Sequence, residues 1–342
     1  MTLIQRGPLR PFDGTITGED PFAVMADGAI AIEDDRVVAW GPAREVIIAY
    51  PEATVVPSDQ LLTPGLTDAH THFPQTRIRG TFAGELLEWL ETVTFPEEQK
   101  FSDPAVCADV AAEFFDELEA AGTTDVTVFC TSHSASVDAL FAEAEDRTIR
   151  VTAGLVMMDR NAPSPLLTPA QDAYDETKAL IERWHGGGDG RFTYAISPRF
   201  APTCSPALLE AAGALWAEHP TCAMQTHLSE NVAEVAWVRR LFPQCPDYLS
   251  VYERFGVLGP GAIFAHAIHL SPREVGMLAE YEAVVAHCPT ANAFLRSGRC
   301  DVAALLNAGV TVKLGTDVGA GPEFDIMEVA AVAEGVPRRL LS

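Results

Sequence analysis

From residue 61 onward the chain repeats one pattern eight times: a short apolar run followed by a longer connecting stretch. The runs are LTDAHTH (66–72), DVTVFCT (125–131), RVTAGLVM (150–157), FTYAISPRF (192–200), CAMQTHL (222–228), AIFAHAI (262–268), AVVAH (283–287) and VTVKLGTD (310–317). Several connections read as helices. In DPAVCADVAAEFFDELEAAG (103–122), Asp103 and Pro104 suit an N-cap and first turn, and Gly122 suits the stop. Thr168-Pro169, Ser205-Pro206 and Ser271-Pro272 open three more in the same way. Strands alternating with helical crossovers specify an α/β protein with a parallel sheet. Eight is the number that closes a (β/α)8 TIM-like barrel, and residues 61–317 match the ~250 residues such a barrel uses. A doubly wound open sheet is the alternative that the same alternation allows.

Residues 1–60 read differently. AIAIEDDRVVAWG (29–41) alternates around an Asp-Asp turn and predicts a hairpin, and ATVVP (53–57) adds another extended run. The expected organisation is an N-terminal β segment (1–60), a barrel (61–321) and a tail (322–342) with a short helix over 325–334. The GGGDG at 186–190 is read as a loop.

Unusual polar residues collect where the predicted strands end. His70 and His72 close the first, Arg199 the fourth, His227 the fifth with Glu230 just beyond, and Asp317 the eighth; His266 lies on the sixth and His287 on the seventh. That end of a barrel is where catalytic groups converge. Residues i and i+2 of a strand face one side, so His70 and His72 can share one ion. With His227 and Asp317 they make a donor set that zinc or iron would accept. Glu230 can reach a metal-bound water for general acid/base work, or simply occupy the first turn of a helix. Asp317 could equally cap a helix, and His133 and His287 read as loop and strand-end histidines.

Composition narrows the partners. Acidic residues number 48 against 23 basic, for a net charge of −25. Such a surface repels nucleic-acid phosphates and anionic membranes. No run of about 18 apolar residues offers a membrane span. Seven Cys are scattered without a C-x-x-C pair, as expected of reduced cytoplasmic thiols.

Taken together, TPGLTDAHTHFPQTRIRG (63–80), LLEWLETVTFPEEQKF (86–101), SPRFAPTCS (197–205), MQTHLSENVAEVAWV (224–238), FAHAIHLS (264–271), AHCPTANAFLRSG (286–298) and LGTDVGAG (314–321) resemble the guanine deaminase family of the amidohydrolase superfamily. The resemblance implies one zinc per subunit on His70, His72, His227 and Asp317. The fourth strand has no Lys to bridge a second ion, which supports a mononuclear site. It implies hydrolytic deamination of guanine to xanthine, a step of purine catabolism. Glu230 would carry a proton to ring N3, Asp317 would help ammonia leave, and His266 would steady the nucleophile. Gln75, Arg199, Phe200 and Trp89, beside His227, Glu230 and Asp317, would bind the purine, although Trp89 also reads as a helix-core aromatic. A homodimer is implied by the family alone. Another aminohydrolase, acting on a related purine, pterin or triazine, is the competing enzyme reading.

One departure stands out. Beyond Gly321 the sequence PEFDIMEVAAVAEGVPRRLLS no longer follows the family. The expectation is a C-terminally shortened chain whose N-terminal β segment lacks the rest of its small sandwich. Its edge and apolar face would then be exposed and its stability reduced, or the fragment inactive.

Overall fold

The computed structural model describes residues 2–10, 24–34 and 36–335. The chain divides into two compact units, Met1–Gly65 and Leu66–Ser342.

Among the described residues the first unit holds four strands: β1 (Leu3–Leu9), β2 (Met25–Glu33), β3 (Arg36–Pro42) and β4 (Thr54–Pro57), in the order β3-β2-β1-β4. β2 and β3 form the expected antiparallel hairpin, with Glu33 opposite Arg36. Asp34 takes the left-handed φ of +46° that this tight turn demands; Asp35 lies outside the described residues. Ile4, Ala29 and Ala31 bury one face against Ala43 and Val46 of the helix Ala43–Ala49. Val37, Val38, Val55 and Val56 remain exposed. This core is small, and Ile30 is buried on the other face of β2.

The second unit is the (β/α)8 barrel. Its staves are β5 (Leu66–His72), β6 (Thr123–Phe129), β7 (Arg150–Gly154), β9 (Phe192–Pro198), β10 (Ala223–Leu228), β11 (Ile263–His266), β12 (Val284–His287) and β13 (Thr311–Leu314). Each pairs in parallel with the next. The ring is drawn together between first and last staves: His72 N donates to Val318 O (2.9 Å) and Asp317 N to His70 O (2.8 Å). The closing bonds therefore involve the same residues that line the site. A doubly wound sheet has no such contact.

The run 150–157 splits in two. Leu155 N donates to the Tyr194 hydroxyl instead of a neighbouring strand, and pairing resumes as β8 (Val156–Met157) against β9. The later strands are shorter than their apolar runs because the backbone turns at their ends: His266 and Ala267 have φ of +72° and +49°, and Asp317 +51°. Helix starts follow the capping residues. Asp103 accepts from Ala105 N, Ser205 from Leu208 N, and Ser271 shares a reciprocal capping box with Glu274. Thr168 does not cap its helix. Its N–H is engaged by Met158 O, and Pro169 takes the cap position before Ala170–Trp184. Residues 187–190 form one turn with Gly188 and Asp189 left-handed, in place of a plain loop. Asp325 caps the helix Ile326–Ala333. Among the described residues no helix is long and apolar enough to cross a membrane.

Candidate active site

β5 delivers His70 and His72 to the mouth of the barrel with their ring centroids 5.0 Å apart. β10 adds His227, whose Nε2 lies 3.2 Å from Nε2 of His72. The loop after β13 adds Asp317, with Oδ1 3.2 Å from His70 Nε2 and 3.3 Å from His72 Nε2. All four are at least nine-tenths buried. His70, His72 and His227 each offer a donor atom within 4.8 Å of the others, and so do His70, His266 and Asp317.

The protonation states suit a cation. His227 Nδ1 lies 2.7 Å from the Arg199 carbonyl. A carbonyl only accepts, so Nδ1 carries the proton and Nε2 presents its lone pair to the cluster. Burial pushes His72 down to about 3, holds His227 well below its ordinary value and lowers His70. Neutral imidazoles are what a metal requires. Burial works against the Asp317 carboxylate, but the His70 and His72 rings beside it keep it well below the usual range. Nε2 of His70 and of His266 are buried without a hydrogen-bond partner. Buried polar atoms are normally satisfied, so two orphans facing one cluster mark the place of a missing positive centre. The residues fit a metal ion.

Glu230 faces the cluster from just beyond β10. Burial first, and the Asp317 charge second, raise its carboxyl well above the usual range. Ser297 Oγ donates to its Oε1 (3.1 Å), and His266 Nε2 lies 3.4 Å from its Oε2. His266 is oriented from behind, its Nδ1 2.8 Å from Asn292 Oδ1. Ser229, His266 and Asp317 all have positive φ, so the site concentrates backbone strain that the barrel sustains.

The cleft above this cluster is lined by His72, Gln75, Leu86, Trp89, Leu90, Arg199, Phe200, His227, Glu230, His266, Leu295, Asp317 and Ala320, and encloses about 380 Å³ including its mouth. Trp89 is buried yet forms a wall, anchored by Nε1 donating to Thr81 O (2.8 Å). Every residue singled out in the sequence as metal-binding, catalytic or purine-binding therefore lies in or against this one cleft. His133 and His287 do not line it.

Residues 61–341 match the amidohydrolase family model. The chain belongs to this family. It is 41% identical over 306 residues to the guanine deaminase of Escherichia coli strain K12, covering 89% of this chain and 69% of that protein. A crystal structure of guanine deaminase from Bradyrhizobium japonicum superposes with a TM-score of 0.92 at 36% identity, covering 98% of this chain and 74% of that one. Guanine deaminase from C. acetobutylicum, solved with guanine bound in its active site, gives a TM-score of 0.89 at 29% identity, covering 98% of this chain and 81% of that one.

The structure of this amidohydrolase also shows buried residues that the sequence did not reveal. Asp68 accepts from His70 N (3.2 Å), Thr316 N (3.0 Å) and Thr316 Oγ1 (2.5 Å), clamping the segments that carry His70 and Asp317. Glu234 accepts from the backbone N–H of Glu230 and Asn231 and from the Tyr248 hydroxyl, fixing the turn that aims Glu230. Glu98 joins Arg199 to Gln75. The only cue was an extra acidic residue close to a motif. Acidic residues are abundant in this chain, so the cue has little power.

Proposed function

We propose that this amidohydrolase hydrolyses guanine to xanthine and ammonia, using one zinc ion per chain. The observation that carries the reading is one cleft that holds both a His/His/His/Asp donor cluster and a buried Arg199–Gln75 pair suited to a purine edge. His70, His72, His227 and Asp317 would hold the ion, and iron would suit the same donors. Such an ion supplies a hydroxide nucleophile near neutral pH, since coordination lowers the pKa of water to about 7.

The protein's own groups do the rest. Arg199 and Gln75 orient the ring by its carbonyl edge, while Phe200 and Trp89 pack against its faces and exclude water. Glu230, raised by burial, takes a proton from the attacking water and passes it to ring N3. His266, kept at a fixed angle by Asn292, steadies the charge that develops at C2. Asp317 then relays a proton to the exocyclic amino group, which leaves as ammonia. One water enters, one C–N bond breaks and one C–O bond forms. The site belongs to guanine breakdown in purine catabolism, in a cytoplasm where the thiols stay reduced, and the protein works as a homodimer.

The test is ammonia release by the zinc-loaded protein from guanine, adenine, a pterin and an aminotriazine in parallel. Guanine is expected to give the highest kcat/KM. A higher value for any other compound contradicts the reading.

A further inference from the structure

The geometry points to Glu98 as a positioning residue that sets this site's preference for a ring carbonyl over a ring amino group at the purine edge read by Arg199 and Gln75; the inference rests on the guanine reading above.

Glu98 has no solvent exposure, and its partners Arg199 and Gln75 are 3% and 1% exposed. Arg199 Nη1 donates to both Glu98 oxygens (2.9 and 2.6 Å), and Gln75 Nε2 donates to Oε1 (3.1 Å). The three come from different segments: Gln75 from the turn after β5, Arg199 from the end of β9, and Glu98 from the short helix Phe95–Glu98. Glu98 lies outside the residues lining the cleft, so it acts through its two partners.

A carboxylate only accepts hydrogen bonds. This fact fixes which way the Gln75 amide turns, and the two bonds to Glu98 fix where the donor-only guanidinium sits. The Gln75 amide must turn its nitrogen toward Glu98, which leaves its oxygen to accept from Gly319 N (3.3 Å). A Cβ at Gly319 would sit 2.7 Å from the backbone carbonyl oxygen of Gln75 and 2.9 Å from its Cβ, so the loop comes this close to Gln75 only because a glycine is there. The guanidinium is held on one side by Glu98 and stacks at 5.4 Å over Phe95. What remains for a ligand on Arg199 is donors alone. A ring carbonyl satisfies them. A ring amino group in the same place sets donor against donor and leaves buried polar atoms unpaired. Without the carboxylate, the Gln75 amide keeps only Gly319 N–H to orient it and the guanidinium is free to swing, so its donors no longer meet a ring carbonyl at a fixed place and the edge distinguishes the two less well.

The experiment compares guanine with 2,6-diaminopurine, which keeps the amino group at C2 but carries an amino group in place of the carbonyl. Values of kcat and KM are measured for the zinc-loaded wild type, Glu98→Gln and Glu98→Asp, with zinc content and melting temperature recorded for each. Glu98→Gln is expected to lower guanine kcat/KM, mainly through KM, while sparing diaminopurine, so that the ratio falls about tenfold or more. Glu98→Asp, which keeps the charge, should recover part of that ratio, and it substitutes as the informative variant if the glutamine protein does not fold. Parallel loss for both substrates, with the ratio unchanged, would mean Glu98 is merely structural and overturns the inference. A zinc-loaded wild type that ignores guanine overturns the guanine reading instead. Calorimetric binding of hypoxanthine against adenine then decides Glu98 alone: the preference collapsing in Glu98→Gln supports it, and an unchanged preference refutes it.

Discussion

Two arginine–carboxylate pairs with similar hydrogen-bond lengths sit in the two units of this molecule. In the N-terminal sheet, Arg6 donates through Nε and Nη2 to the two oxygens of Asp27 at 2.7 and 2.8 Å. In the barrel, Arg199 meets Glu98 at 2.9 and 2.6 Å. The first pair has side chains 48% and 59% exposed; the second, 3% and 0%. Water screens the first and holds its partners when they part. Nothing replaces either partner of the second. Hydrogen-bond lengths alone do not rank interactions; what surrounds them does. The same contrast separates the small core around Ile4, Ala29 and Ala31 from the buried carboxylates Asp68, Glu98 and Glu234 that support the barrel's site.

Substitutions can break or sharpen that contrast. The largest effect belongs to Glu230→Gln, which keeps size but removes the proton carrier: kcat should fall about 10²–10⁴-fold with zinc content unchanged. Glu98→Ala leaves Arg199 buried and unpaired and should cost about 3–5 kcal/mol in denaturant unfolding of the barrel. Asp68→Asn loosens the clamp behind His70 and Asp317, and zinc affinity measured by competition with a chelator should fall about 10–100-fold. Ser205→Ala removes a helix cap worth about 1 kcal/mol, visible as a small drop in melting temperature with kcat intact. Asp27→Asn, at the exposed pair, should leave the melting temperature unchanged within error. A loss at Asp27 as large as that at Glu98 would break the comparison.

A pH dependence sharpens it further. Burial raises Glu234 from an ordinary 4.5 to about 7. The folded protein therefore keeps a proton that the unfolded chain releases between those values, and the stability this group contributes declines as pH rises from 4.5 to 7. The difference in unfolding free energy between wild type and Glu234→Gln should drift in that direction over the same window. A flat difference contradicts a buried, protonated Glu234.

The barrel was legible because β-branched and apolar runs such as 192–200 and 222–228 are bounded by capped helices, and their number leaves few topologies. The site was legible for a related reason: His70, His72, His227 and Asp317 interrupt apolar strands at their ends, where core packing gives them no purpose. What stayed hidden was the layer behind. Asp68, Glu98 and Glu234 act through partners distant in sequence, Asp68 binding Thr316 and Glu98 binding Arg199. No local pattern encodes such a pairing. At Thr168 the helix begins one residue later than the Thr-Pro pair suggests: Pro169 occupies the cap position, and no side chain caps Ala170–Trp184.

The most direct test follows guanine and xanthine by absorbance, using the purified chain loaded with zinc beside Glu230→Ala at matched zinc content. The account predicts xanthine formation by the wild type that disappears in the variant. Zinc-loaded, monodisperse wild type that leaves guanine unchanged, or a variant that converts it equally fast, would contradict it.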